Sequence, residues 1–579
     1  LPAWKGVIIL SIDFRGNPFY LEEEDIDWVK TTLAGMTLEE KIGHLFCILI
    51  KGKPVEEILE QMNVLGLKPG SYMTDVFPAQ QVKDNFKKLQ AASDIPLLFA
   101  SNLERGADGI CTEGTLFGTQ LQAAAGNDVR WAYELGRVCA SEAAALGANW
   151  NFGPILDIDT DFHNPITNTR VFGSDPEKVL ELSKAFVKGH QDCGMAACLK
   201  HWPGDGRDER DQHMVTSIND CSMEEWDATY GRIYRELIED GAETVMSAHI
   251  MLPAYSRKLC PQVKEEDILP ASLAYELTHT LLREKLGFNG LVVTDATTMT
   301  GFMQAMARKD ALPLAVVSGC DIILFTLDME EDFGFIREAV KDKRISPERL
   351  DEAVQRILAL KAHLKLHKKM KEGTLLPGEE AMEVFRDDTN RRLARELADR
   401  SVTLVKDTQN LLPVNPKEYK RVLLHVLGDK GGYHDPIKDT ALYFKQELEK
   451  EGFEITVFDA DRKDLLPIGS SIKSMTDRFD LIIYYCSVKT SGSDNVSRIT
   501  WTGPGGCNTP RYINEIPTLF ISVDNPYMLF DAPKIKTYIN GYTPSSYVID
   551  AIIEKITGRS QFKGVSPVDP FCGLWNAGF

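Results

Sequence analysis

The chain has 579 residues, 43% of them hydrophobic and 26% charged, with a formal net charge of −20 at pH 7. That length exceeds one hydrophobic core, so two to four domains are expected. The acidic balance excludes nucleic acid or an anionic membrane as the main partner, because both require a basic footprint.

The 11 cysteines are scattered without CxxC pairs or zinc spacing, and Cys47, Cys139, Cys320 and Cys486 sit in apolar runs. This points to buried thiols in a reducing compartment, hence a cytoplasmic location. The early apolar run, residues 6–12, is too short to span a membrane. A chain starting at Leu1 leaves room for a leader already removed.

Residues 1–36 read as an N-terminal extension with an acidic stretch (Glu22, Glu23, Glu24, Asp25) and a short helix ending near Leu33. Thr37 with Glu40 three residues on is a capping box that opens the first domain. Apolar runs at 45–50, 70–73, 95–100, 150–156, 194–199, 244–248, 291–294 and 321–325 then read as eight strands. Helical patterns lie between them, for example 55–62, 224–240 and 275–286. Eight strands alternating with helices predict a (β/α)8 TIM-type barrel over residues 37–365. No Gly-rich dinucleotide turn follows the first strand, which disfavours a doubly wound sheet. Ser346-Pro347 starts the closing helix, whose apolar face carries Leu350, Val354, Ile357 and Leu358. Residues 366–387 form a linker, and the Lys and His residues at 363–371 read as solvated helix ends. Residues 388–579 alternate strands (402–406, 421–427, 453–458, 481–486, 518–523) with helices, ending in a helix at 547–556. They predict a smaller α/β sandwich domain with a covered, largely parallel sheet.

Polar or ionisable residues close most barrel strands, where this architecture gathers its catalytic groups. They are Asn102, Asp157, Lys200, His201, His249 and Asp295, with Arg170 close in sequence to the fourth. The segment KHWPGDGRDERDQH, residues 200–213, places Lys200 and His201 at a strand end, then a charged loop with an Asp211-x-His213 pair. A carboxylate beside an imidazole fixes its tautomer and suits the ring to proton transfer. Asp295 supplies a separate carboxylate, and Lys200, His201 and Arg170 supply donors for hydroxyls. Cleavage of a glycosidic bond needs this division between a carboxylate at the anomeric centre and an acid at the leaving oxygen. Asp157, Asp159, Asp161 and His163 lack ligand spacing and read as turn carboxylates, so no metal is expected. Glu104 and Arg105 read as a surface ion pair.

The chain resembles glycoside hydrolase family 3, and within it the β-N-acetylglucosaminidase branch in its two-domain form. The matching segments are MTLEEKIG (36–43), NFGPILDI (151–158), NPITNTRVFGSDP (164–176), KHWPGDG with DQH, MSAHI, LGFNGLVVTDATTM (286–299) and SPERLDEAVQRIL (346–358), followed by ARELADRSVTLVKDTQNLLPV (394–414). The resemblance implies a retaining exo-glycosidase that releases terminal β-linked N-acetylhexosamine through a covalent glycosyl-enzyme, without cofactor or metal. Asp295 is implied as nucleophile and the Asp211–His213 pair as acid/base, on a loop expected to close over substrate. Lys200, His201 and Arg170 are implied to bind hydroxyls, Asp157 to order the rim, and His249 to lie on the pocket floor. Two positions depart from the family pattern. Asn102 stands where an aspartate usually binds a sugar hydroxyl, and Asp205 stands where a histidine is common. A β-glucosidase or glycoside phosphorylase on the same site, and a sugar-binding protein that has lost catalysis, are the alternatives. The expected partner is a small carbohydrate such as a GlcNAc-containing glycoside or cell-wall fragment.

Overall fold

The computed structural model describes residues 10–428, 440–462, 465, 471–489, 492–493, 497–503 and 505–579. The apolar run at 6–12 therefore lies mostly outside the described residues. The chain divides into two compact units, one of residues 1–115, 133–158 and 179–388, the other of 116–132, 159–178 and 389–579. Two segments inside the stretch read as barrel, 116–132 and 159–178, thus group with the C-terminal sequence.

The first unit is a closed barrel of eight parallel strands. In chain order they are β1 (Phe46–Ile50), β2 (Ser71–Thr74), β3 (Leu98–Ser101), β4 (Trp150–Asn151), β5 (Ala196–Trp202), β7 (Thr244–Ser247), β9 (Leu291–Ala296) and β10 (Ile322–Leu324). A two-stranded ribbon, β6 (Ser217–Ile218) with β8 (Ile250–Met251), joins the loop after β5 to the segment after β7. The strands carry side chains such as Phe46, Phe99, Trp150, Leu199 and Val293, all at most 1% exposed, with Phe46 against Phe333 and Phe99 stacked on Phe86 of the surrounding helices. This is a packed core, and chemistry is left to the strand ends.

Three elements differ from the periodicity. The run at 150–156 keeps only two ladder residues, because Pro154 has no N–H to donate. Its backbone still follows β5, with Cys198 N donating to Gly153 O at 2.9 Å and Lys200 N to Pro154 O at 3.2 Å. The expected helix at 224–240 is two helices, Met223–Ala228 and Tyr230–Glu239. Thr229 separates them with backbone angles of φ −115° and ψ −97°, its hydroxyl donating back to Glu225 O at 2.7 Å beside its own N–H. The helix Glu276–Lys285 is wound with the wider i→i+5 turn.

The basic cluster at 363–371 has a structural use that its composition hid. Lys365 and Lys368 pair with Asp25, a fully buried carboxylate on the helix Glu23–Gly35, and His367 stacks on Trp28 at 4.6 Å. His363 contacts Phe19 O at 2.8 Å. The end of the closing helix thereby holds the N-terminal helix against the barrel unit.

In the second unit a six-stranded sheet runs in the order β11 (Thr403–Asp407), β16 (Thr537–Asn540), β15 (Thr518–Ser522), β14 (Leu481–Cys486), β12 (Arg421–Leu427), β13 (Glu454–Val457). Five strands are parallel and β11 is antiparallel. β16 has no counterpart in the sequence reading. It is four residues long and half polar, too short for a periodicity signal, yet it joins β11 to the rest. Separate apolar layers cover the two faces, one including Leu424, Ile483 and Ile521, the other Tyr484, Phe520 and Tyr538. The segments 116–132 and 159–178 are fastened here. Leu121 and Ala125 pack with Tyr527 and Tyr542, and the Tyr527 hydroxyl donates to buried Asp159. Among the described residues no helix is long and apolar enough to cross a membrane.

Candidate active site

The C-terminal ends of β3, β4, β5, β7 and β9 bring Asn102, Asp157, Lys200, His201, His249 and Asp295 to one rim, and the loop after β5 adds Asp211 and His213. Arg170 closes the turn Asn168–Arg170 in the segment that belongs to the second unit, and there its Nη1 donates to Ile166 O at 3.2 Å.

Asp295 is the centre of this group. It stands one residue from the end of β9 and is 7% exposed. Its Oδ1 accepts from Ala296 N at 2.7 Å, while Oδ2 is buried with no hydrogen-bond partner. Burial alone would raise this carboxyl, but the imidazoles of His201, His249 and His213 hold it below the usual aspartate value. An ionised carboxylate with an unsatisfied oxygen is costly in a packed interior. It is also ready to form a bond.

His213 and Asp211 form the pair that their spacing indicates. Asp211 Oδ1 accepts from His213 Nδ1 at 2.7 Å and from His213 N at 2.8 Å. The Asp211 side chain is 0% exposed and that of His213 31%. The carboxylate is therefore a buried anchor, and Nε2 is the ring atom left for proton transfer.

Lys200 is held at the strand end with its side chain 3% exposed. Its Nζ donates to Glu104 Oε1 at 2.7 Å and to Asn102 Oδ1 at 3.3 Å. This corrects the reading of Glu104 as half of a surface ion pair, since Arg105 pairs with Asp108 instead, at 2.8 Å. The signal that marked Glu104 was its place two residues beyond exposed Asn102, on the same strand end as the other rim groups.

Two residues expected to bind substrate are enclosed. Asp157 is fully buried and accepts from His201 Nδ1 at 2.6 Å, His201 N at 3.2 Å and Asp205 N at 2.8 Å. It orients His201, leaving Nε2 as the ring atom without a contact to Asp157. His249 is likewise 0% exposed. Its Nε2 lies 3.0 Å from Ala296 O and its Nδ1 3.0 Å from Ser272 Oγ. A carbonyl oxygen only accepts, so Nε2 carries the proton and Nδ1 accepts from the serine. Burial pushes the imidazole toward this neutral form. His249 braces the backbone next to Asp295 instead of lining an open floor.

The charged loop is seated. Gln212, between Asp211 and His213, is 0% exposed, and its Oε1 accepts from His249 N at 3.0 Å. Thr300 N donates to His213 O at 3.0 Å and Thr216 Oγ1 to Gly301 O at 2.8 Å. Sequence reasoning passed over Gln212, since a lone glutamine carries no motif. Among the described residues no group of three or more His, Cys, Asp or Glu side chains is arranged to hold a metal ion.

Residues 37–360 match the glycosyl hydrolase family 3 N terminal domain. A beta-N-acetylglucosaminidase/beta-glucosidase of Cellulomonas fimi is 42% identical over 570 residues, 98% of this chain and 99% of that protein. The solved structure of beta-glucoside phosphorylase BglX bound to 2FGlc is also 42% identical, with a TM-score of 0.92 over 97% of this chain and 99% of that one. A family 3 beta-N-acetylglucosaminidase from Paenibacillus sp. str. FPU-7, 23% identical with a TM-score of 0.73 over 93% of this chain and 100% of that one, shares the fold. The chain belongs to glycoside hydrolase family 3 and acts on glycosides by that membership.

Proposed function

We propose that this protein is a retaining, exo-acting β-glycosidase that removes a terminal β-linked N-acetylglucosaminyl unit. Asp295 Oδ2 attacks the anomeric carbon while His213 Nε2 gives its proton to the departing glycosidic oxygen, and the C1–O bond breaks as the ester to Asp295 forms. In the second step Nε2 takes a proton from water, the water oxygen bonds to C1, and the Asp295 carboxylate leaves. Asp211 keeps His213 in the tautomer that both steps require. Lys200 and His201, together with Asn102, grip hydroxyls; Asp157 and His249 stand behind them as braces. The observation that carries this reading is the buried, unpartnered Oδ2 of Asp295, ringed by three imidazoles.

A second reading has its own support. The acid/base is an imidazole, which is neutral once it has given up its proton, so an incoming phosphate meets no second carboxylate there. The full-length likeness to a protein titled a beta-glucoside phosphorylase points the same way. The sugar is open to the same question, since the Cellulomonas fimi relative is named for both N-acetylglucosaminide and glucoside. One screen separates these readings: aryl β-N-acetylglucosaminide and aryl β-glucoside, each with and without phosphate. Hydrolysis of the glucosaminide indifferent to phosphate upholds the first reading. Sugar 1-phosphate as the main product replaces it with the second, and binding of either sugar without turnover rejects both.

A further inference from the structure

The loop that carries His213 reaches the nucleophile's strand through two side chains, Gln212 and His249, beside the contacts of Thr216 and His213 O with the segment after β9. Gln212 is enclosed, and its Oε1 takes the main-chain N–H of His249 just beyond β7. The His249 ring in turn contacts Ala296 O, the residue after Asp295. A path of two hydrogen bonds thus runs from the acid/base loop to the backbone beside the nucleophile. A second, independent feature seats the same loop. Gly301 lies in the short helix Thr300–Met303 after β9, and a Cβ there would stand 2.4 Å from Gln212 O and 3.1 Å from Val215 O. The position needs glycine because the loop backbone occupies that space.

We propose that Gln212 and Gly301 form a latch that sets His213 at proton-transfer distance from the leaving oxygen, with Gln212 as a positioning residue. The inference rests on the reading of His213 as acid/base. The latch explains how a charged surface loop can hold a proton donor steady: Asp211 fixes the ring within the loop, and Gln212 fixes the loop on the barrel. Acid/base catalysis is sensitive to displacement of this kind, since a shift near 1 Å costs about a hundredfold. The step served by the latch is protonation of the departing oxygen, so its loss weighs most where that oxygen leaves poorly.

The test is kcat/KM across a series of aryl glycosides of graded leaving-group ability, with thermal unfolding measured alongside. Gln212→Met keeps the side-chain length but removes the acceptor; Gly301→Ala pushes the loop and leaves Gln212 intact; Gln212→Glu retains an acceptor oxygen. The first two are expected to lose roughly 10–100-fold on a poor leaving group and less than about threefold on dinitrophenolate, with Gln212→Glu close to wild type. His213→Ala sets the reference for the steepened dependence. Uniform loss across the series in Gln212→Met and Gly301→Ala, or no loss, overturns the latch while His213→Ala still steepens the slope. If Gln212→Met does not fold, Gly301→Ala alone decides between these outcomes. If His213→Ala itself loses activity uniformly, the acid/base reading falls and the latch with it.

Discussion

Two buried aspartates on neighbouring strands of the barrel show how position and partners decide what a carboxylate does. Asp321 stands just before β10, at the N-terminal end of the barrel, and is 0% exposed. Its Oδ1 accepts from Arg349 Nη2 at 2.8 Å; its Oδ2 accepts from Arg283 Nη2 at 2.6 Å and Val292 N at 2.9 Å. Asp295 stands near the C-terminal end of β9 with one oxygen unpartnered. Burial raises both carboxyls, and in both it is outweighed by facing groups: Arg283, Arg349 and Arg356 for Asp321, and His201, His249 and His213 for Asp295. Permanent guanidinium charges with filled oxygens make a structural joint, whereas imidazoles around an open oxygen leave a nucleophile and movable protons.

Exchanging each carboxylate for its amide breaks the comparison most directly. Asp295→Asn removes the bond-forming oxygen and is expected to lower kcat on the order of 10³–10⁵-fold, with thermal stability unchanged or raised. Substantial residual turnover by homogeneous protein would sink the nucleophile assignment. Asp321→Asn removes the carboxylate that Arg283 pairs with, leaves Arg349 with Glu352 alone, and should cost about 3–5 kcal/mol of unfolding free energy by denaturant titration. Turnover per folded molecule should stay within roughly twofold, as for sites that share no partners. A large kcat loss in a stably folded Asp321→Asn would show that the two ends of the barrel are coupled.

The two aspartates also mark what the sequence makes legible. Asp295 ends a run of β-branched and apolar residues, Leu291 to Thr294, so its place at a strand end follows from pattern. The Asp211–His213 contact follows equally from a two-residue spacing. What pattern does not carry is the partner of each group. Glu104 reaches Lys200 across 96 residues and Asp157 reaches His201 across 44, distances over which only the closed barrel fixes who meets whom. Enclosure is hidden for the same reason: Asp157 and His249 have the residue types of ligand-binding groups and the burial of braces. In the second unit, β16 was missed because four half-polar residues carry no periodicity, and its place next to β11 depends on long-range pairing.

Glu243 sharpens the contrast at the structural end. It precedes β7 and accepts from Gln191 Nε2 at 2.9 Å and Ala197 N at 3.3 Å, both neutral donors. Burial therefore prevails and pushes its carboxyl up from 4.5 to about 7. Between those values the folded chain keeps a proton that the unfolded chain releases. Stability is accordingly full below the unfolded value, falls as pH rises toward about 7, and carries a constant penalty above it. Glu243→Gln should flatten the melting-temperature profile between pH 5 and 8 and stabilise the protein at pH 8 by about 2–3 kcal/mol. An unchanged profile would mean that Glu243 ionises without penalty and that another group governs the alkaline side.

The smallest expected effect concerns which carboxylate serves Lys200. Family 3 commonly has an aspartate at the position of Asn102, whereas here the charge is supplied two residues later by Glu104, 2.7 Å from Lys200 Nζ. Glu104→Gln keeps the shape but leaves a nearly enclosed ammonium with amide acceptors only, a change worth about 1–2 kcal/mol in kcat/KM and expressed mainly in KM. Adding Asn102→Asp restores a carboxylate on the other side of the same ammonium. If Lys200 needs only a counter-charge, the double variant regains the loss on both aryl glucosaminide and aryl glucoside in equal proportion. If Glu104 also selects the sugar, the double variant recovers one substrate and not the other, because a carboxylate at position 102 has a shorter side chain and approaches the ligand from a different backbone position. Equal recovery thus assigns Glu104 to holding Lys200, and unequal recovery makes the move from position 102 to 104 a determinant of which sugar enters.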